Sequence, residues 1–262
     1  MPVATINGQS VFYTESGPAD APVLLFSHGF LMDHTMFDHQ VAAFSGDYRC
    51  VAWDERGFGA TAATAAFSYW DSADDAVGLL DHLDIASAVF VGMSQGGFLS
   101  LRAALAHPER VRALVLIDSE PGVDPPETLE GYKGMVGHWD SDAPLGDVGV
   151  FVAGLILGEP TLSKEWIAKW EARRADGIKM GLQAGALLER DDITARMSEI
   201  ACPVLSVHGE EDQSITIDKA QALQALVSDG RGLVRVPGAA HAPNMTHPEI
   251  VNAAIAEFLN GL

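Results

Sequence analysis

Ala88-Val89-Phe90-Val91-Gly92-Met93-Ser94-Gln95-Gly96-Gly97-Phe98 is the stretch on which the fold turns. Its first four residues are an unbroken apolar run, the mark of a strand covered on both faces. The segment Gly96–His107 then places Phe98, Leu101 and Leu105 along one helical stripe, and Pro108 stops it because the residue before a proline is pushed out of helical geometry. Between strand and helix stands Gly-x-Ser-x-Gly. A chain that reverses within so few residues leaves no room for flanking side chains, hence glycine at 92 and 96, and it exposes the Ser94 hydroxyl at the carboxyl end of the strand. By chance the pattern arises roughly 0.1–0.2 times in a chain of this composition, so the strand before it and the helix after it carry the inference.

Outward from this unit the same alternation recurs. Apolar runs at Val23–Ser27, Cys50–Trp53, Val111–Ile117, Val204–Val207 and Leu233–Val236 read as buried strands, and helical spacing appears at Met36–Phe44, Ser72–Leu83, Ile217–Val227 and Pro248–Leu259. An Asn7-Gly8 turn pair between Thr5-Ile6 and Val11-Phe12-Tyr13 predicts an antiparallel hairpin at the start. The series β-α-β-α implies an α/β fold, a mostly parallel central sheet with helices on both faces. The rhythm breaks between Gly122 and Met197. No buried strand is legible there, but Trp139, Phe151, Trp166 and Trp170 are, with a helix at Ser163–Arg174. The expectation is a core of residues 1–121 and 198–262 carrying a helical lid at 122–197.

With 262 residues, 48% hydrophobic, the chain can bury one sizeable core. A formal charge of −20 opposes binding to nucleic acid or anionic lipid and favours neutral small molecules. The N-terminus has no basic patch followed by an apolar run, and no segment approaches the roughly 20 apolar residues of a membrane span, so a cytoplasmic location is the default. Cys50 and Cys202 each flank an apolar run and read as buried free thiols rather than a disulfide or metal site. Gly57-Phe58-Gly59 does not open a phosphate-cradling loop and no ligand cluster has metal spacing, so neither cofactor nor metal is expected.

A serine hydroxyl is a poor nucleophile at neutral pH and needs a base within reach, with an acid to fix the base's tautomer. Two later runs deliver such groups at strand ends, where ligands bind in open α/β sheets. Val204–Val207 leads into His208-Gly209-Glu210-Glu211-Asp212, and Leu233–Val236 into Pro237-Gly238-Ala239-Ala240-His241. The Gly-x-x-Asp spacing favours Asp212 over Glu210 and Glu211. Asp118, just after Val111–Ile117, is the rival acid. His247 in Thr246-His247-Pro248 reads as a helix entry instead.

These motifs, with Ser27-His28-Gly29-Phe30 and Trp53-Asp54-Glu55-Arg56-Gly57-Phe58-Gly59, give the chain a full-length resemblance to the α/β-hydrolase superfamily, in particular to small bacterial serine esterases and enol-lactonases. The order Ser94, Asp212, His241 fits that family's triad. The resemblance implies an oxyanion hole from the backbone N–H groups of Phe30 and Gln95, and a structural turn around Asp54, Arg56 and Gly57. Gln95 replaces a frequent methionine or leucine without removing a backbone donor. His28 is expected to shape the oxyanion loop. Together with Gly29, Trp139 and Phe151 it is expected at the substrate. The implied activity is cleavage of carboxylic esters or lactones of small to medium apolar substrates through an acyl-enzyme on Ser94. Carbon–carbon bond hydrolysis of diketones, cofactor-free perhydrolysis and a ligand-binding receptor on the same fold are the alternatives.

Overall fold

Unbroken apolar runs need cover on both faces. In the computed structural model, which describes residues 2–262, they receive it from two apolar layers on either side of one sheet. In chain order the strands are β1 (Val3–Ile6), β2 (Gln9–Ser16), β3 (Val23–Ser27), β4 (Arg49–Trp53), β5 (Ala88–Met93), β6 (Val111–Ile117), β7 (Val204–Gly209) and β8 (Gly230–Val236). They lie in the order β1-β2-β4-β3-β5-β6-β7-β8. β1, β2 and β4 pair antiparallel and every later neighbour pairs parallel. The Asn7-Gly8 hairpin forms as expected, with positive φ at both turn residues.

The helices are α1 (Asp38–Phe44), α2 (Tyr69–His82), α3 (Gln95–Ala106), α4 (Pro126–Trp139), α5 (Gly146–Ile156), α6 (Pro160–Ala175), α7 (Gly181–Leu188), α8 (Ile217–Leu226), α9 (Pro243–Thr246) and α10 (Pro248–Asn260). Several strands are longer than their apolar runs, β5 and β8 among them. β5 continues through Gly92 and Met93, which pair with Leu116 and Ile117 and carry the ladder to the residue before Ser94. β8 begins at Gly230, and because it is an edge strand its first residues are exposed and read as polar. The segment expected as helix from Met36 starts instead as a tight turn of 3₁₀ geometry at His34–Phe37, capped by the Asp33 carboxylate on Thr35 N–H, before α1 proper. Cys50 is buried, but Cys202 sits before Pro203 outside β7 and is only half-buried, which corrects the sequence reading.

Between β6 and β7, among the described residues, the chain forms α4–α7 and no strand. Of these helices only α6 was legible. Its buried Trp166 and Trp170 stand four residues apart, and the Glu159 carboxylate caps its start by accepting from Thr161 and Leu162 N–H. α4 buries only Trp139 and carries glycines at 131, 134 and 137, so it offers neither stripe nor propensity. Long-range hydrogen bonds fasten these helices to the loops after β3 and β4. Trp170 Nε1 donates to the Leu31 carbonyl at 2.9 Å, and Arg173 and Gln183 both donate to the Gly57 carbonyl at 2.7 Å.

Glycines serve opposite purposes here. A Cβ on Gly96 would collide with the Ser27 carbonyl oxygen, whereas one on Gly137 would meet nothing within 4 Å. Gly96→Ala is therefore expected to leave little soluble folded protein. Gly137→Ala should raise stability by about 0.5–1 kcal/mol in urea denaturation, the helix-interior gain of alanine over glycine.

Candidate active site

Ser94 joins β5 to α3 with φ 50° and ψ −113°, a conformation that costs a non-glycine residue strain. Its surroundings hold it there. The Ser94 N–H donates to the Ile117 carbonyl at 2.8 Å, and the Ser94 carbonyl accepts from Gly97 N–H, Phe98 N–H and the Ser119 hydroxyl at 2.8–3.1 Å. A Cβ on Gly92 would strike the backbone of Gly96, and one on Gly97 would strike Ser119. The bend thus needs glycine at 97 as well as at 92 and 96, because the Ser119 side chain that braces the bend occupies that space.

The ends of β7 and β8 bring the other two groups together. Glu210 N–H donates to the Val236 carbonyl and Glu211 N–H to the Ala239 carbonyl, which zips the two loops side by side. Gly209 permits this approach, since a Cβ there would land on the Ala240 carbonyl oxygen. His241 Nδ1 donates to Asp212 Oδ2 at 2.6 Å, while Asp212 Oδ1 accepts from Ser214 and Ile215 N–H at 2.8 and 3.1 Å. Burial works against ionisation of Asp212, but the charge and hydrogen bond of His241 outweigh it and hold the carboxyl below its ordinary range. Glu210 pairs with Arg235 in solvent and Glu211 is exposed, so neither competes for the imidazole. His247 bonds only to the Thr246 hydroxyl, beside α10.

Ser94 and His241 both open onto one cavity of about 640 Å³, within the range of small-molecule sites. Gly29, Phe30 and Phe151 line it, and the amide N–H groups of Phe30 and Gln95 find no acceptor among the described residues. Two expected contacts fail. Trp139 is buried against Trp170 with ring centroids 5.8 Å apart and does not reach the cavity. His28 is also enclosed. Its Nδ1–H donates to the Gly29 carbonyl, its Nε2 accepts from Glu55 N–H, and burial lowers its basicity, so it braces the loop and touches no ligand space. Asp54 behaves as the resemblance implied, accepting from His34 and Ala60 N–H within its turn.

Several wall residues were missed. Tyr132 on α4, Lys219 on α8 and Arg190 after α7 form a polar side of the cavity. Arg190 donates to Asp124 Oδ2 at 2.8 Å and to the Gly122 and Leu187 carbonyls, and Lys219 donates to Glu120 at 2.8 Å. They come from segments far apart in sequence, and no local pattern marks them. Asp118, His208 and Asp212 have donor atoms within 4.8 Å of one another, the one set among the described residues close enough to share an ion, though Asp212 is already committed to His241.

A model of the alpha/beta hydrolase fold family matches residues 22–248. The chain belongs to the α/β-hydrolase family. As an enzyme of that family it is 28% identical to a bifunctional esterase/perhydrolase from Acinetobacter calcoaceticus, with 98% of each chain covered. It is 26% identical to a 3-oxoadipate enol-lactonase from Acinetobacter baylyi, with 96% of this α/β-hydrolase and 94% of the relative covered. The enol-lactonase structure from Burkholderia xenovorans superposes with a TM-score of 0.88 at 23% identity, over 99% and 100% of the two chains, and so shares the fold. No helix of this α/β-hydrolase is, among the described residues, long and apolar enough to cross a membrane.

Behind Gln95 lies a buried polar chain. The Gln95 amide donates to Glu55 Oε2 at 2.8 Å and its carbonyl accepts from the Tyr69 hydroxyl at 3.2 Å. Burial pushes the Glu55 carboxyl well above its ordinary range, opposed in part by the Gln95 hydrogen bond, and neighbouring Asp54 and Asp75 push it further. Folding must then retain a proton that the unfolded chain releases near about pH 4.3, so this group removes stability as pH rises above that value. Glu55→Gln is expected to raise the urea midpoint at neutral pH and to leave it nearly unchanged near about pH 4.

Proposed function

We propose that this α/β-hydrolase cleaves carboxylic esters or lactones of small to medium, mainly apolar substrates through an acyl-enzyme on Ser94. The observation that carries the reading is the opening of Ser94 and the Asp212-bound His241 onto one cavity. Because His241 Nδ1–H is engaged by Asp212, Nε2 is the nitrogen left to take the Ser94 proton as Oγ attacks the substrate carbonyl. The N–H groups of Phe30 and Gln95 hold the oxyanion, with Gln95 at the start of α3, where backbone donors lack helical partners. Collapse expels the alcohol with the proton returned from His241. His241 then activates water, and hydrolysis frees Ser94. Apolar side chains including Leu31, Met32, Met93 and Phe98 supply most of the contact surface, which suits acyl groups without charge. Residues 122–197 act as a lid over the site, and Phe151, 66% exposed and on the cavity wall, stands at its rim. The pairing of esterase and perhydrolase in the Acinetobacter relative also supports capture of the same acyl-enzyme by peroxide.

A panel of p-nitrophenyl esters, lactones and diketones, with and without peroxide, tests the reading. Ester or lactone turnover is expected to fall at least about 10³-fold in kcat for Ser94→Ala and for His241→Ala. Binding of these compounds without turnover, or a Ser94→Ala variant keeping more than about a tenth of wild-type activity, overturns it.

A further inference from the structure

Two buried ionisable groups beside Asp212 have no part in the reaction above. Asp118 follows β6 with φ 46° and is fully buried. One of its oxygens, Oδ1, accepts from Gly209 N–H at 3.0 Å, and the other, Oδ2, has no partner. His208, on β7, donates from Nε2 to the Ile215 carbonyl at 2.7 Å, which leaves Nδ1 bare and also unpartnered. The same Nε2 is 3.6 Å from Asp118 Oδ1 and 3.5 Å from Asp212 Oδ2. Burial lowers the basicity of His208, so it supplies no positive charge to offset the two carboxyls. The remaining ionisable groups facing the cluster are His241 beyond Asp212, Asp218 on α8 and the Tyr132 phenol on α4.

Carboxyl groups this close in a buried site do not readily both ionise, and the better-served one takes the charge. Asp212 receives three N–H donors, from His241, Ser214 and Ile215, whereas Asp118 receives one. The charge therefore settles on Asp212 and a proton remains on Asp118. An O–H is also the group through which a buried carboxyl oxygen with no donor in reach can make a bond of its own. We infer that Asp118 is a positioning residue, whose carboxyl keeps its proton and donates it in a hydrogen bond to Asp212, fixing the carboxylate that orients His241. Burial and the neighbouring Asp212 charge both raise the Asp118 carboxyl well above its ordinary range, in keeping with this arrangement. The left-handed backbone at 118 serves the same end. Aspartate is among the few non-glycine residues that tolerate it, and it turns the side chain of a strand end toward the next loop.

The inference rests on Ser94, Asp212 and His241 acting as proposed, and its test reads both activity and the proton itself. The proteins are wild type, Asp118→Asn, Asp118→Ala and Asp212→Asn, each checked for folding by circular dichroism. An asparagine amide can donate where the acid did, so Asp118→Asn should stay near wild-type kcat. Asp118→Ala should lose about 10–100-fold in kcat with KM unchanged, the usual cost of removing a partner behind a working group. Asp212→Asn should lose far more. In the infrared difference between wild type and Asp118→Asn at neutral pH, a protonated-carboxyl C=O band should belong to wild type, with the contribution of Glu55 cancelling. Loss in Asp118→Asn as deep as in Asp212→Asn would make Asp118 the ionised acid and overturn the inference. So would a folded Asp118→Ala with unchanged kcat, absence of the infrared band, or activity lost to EDTA and restored by a divalent cation. If no substrate is turned over the functional reading fails, while the infrared band still reports on Asp118, even should Asp118→Ala not fold.

Discussion

The structure depends on one steric constraint: the backbone of α3 must come against the end of β3 while the chain reverses at Ser94. Glycine at 96 makes that approach possible, because any Cβ would occupy the position of the Ser27 carbonyl oxygen. The approach then fixes much else. It brings the β3 loop, with Gly29 and Phe30, to the same cavity as Ser94, next to the start of α3. It also places the strained Ser94 under the control of β6, through Ile117 and Ser119. Strain of this kind persists only where neighbours over-determine the geometry, and four hydrogen bonds to one residue's backbone do so.

The parts legible in the sequence were those in which one residue's environment is set by near neighbours. Val111–Ile117 was readable to the residue because every position but Arg112 is buried, and Asn7-Gly8 because a tight hairpin demands positive φ. The Ser94 bend and the loops carrying Asp212 and His241 were readable because strand ends adjoin turn residues. What escaped was set by tertiary packing. α4 lacks a buried stripe and is rich in glycine, so its helicity comes from what it packs against and not from its own residues. Trp139 was expected among the minority of aromatics in this segment that touch substrate, but its ring packs instead on Trp170, 31 positions away. The same distance problem hid the Arg190–Asp124 and Lys219–Glu120 pairs.

The helices between β6 and β7 make the cavity a joint product. The core contributes Ser94, His241 and a floor from the loop after β3, from β5 and from α3, while α4 and α5 contribute walls. They are attached both by apolar packing, with Val152, Ile156, Trp166 and Trp170 in the same buried cluster as Phe26 and Met93, and by hydrogen bonds from Trp170, Arg173 and Gln183 to the backbone of the loops after β3 and β4. These bonds end on Leu31 and Gly57, within a few residues of Phe30 and Glu55. The helices between β6 and β7 are thus bonded next to the loop that supplies one proposed oxyanion donor and to the turn that carries the buried chain behind the other.

That chain points to how the site manages charge. The molecule carries a formal charge of −20, and a reaction that develops an oxyanion gains from keeping further negative charge away from it. Among the buried carboxyl groups around the proposed catalytic groups, Asp124 and Glu120 are paired with Arg190 and Lys219, while Asp212, Glu55 and Asp118 face no such cation and are separated by their environments. Asp212 has donors enough to ionise, and its charge faces the imidazole that becomes positive during the reaction. Glu55, directly behind Gln95, has one amide donor and little else, so burial keeps it neutral where a charge would oppose the oxyanion. Asp118 sits between these cases, close enough to Asp212 that only one of the pair can carry charge. The number of N–H groups directed at each carboxyl, more than its depth, sorts them into one anion and two acids, and it leaves a single negative charge on the side of the site where the proposed chemistry requires it.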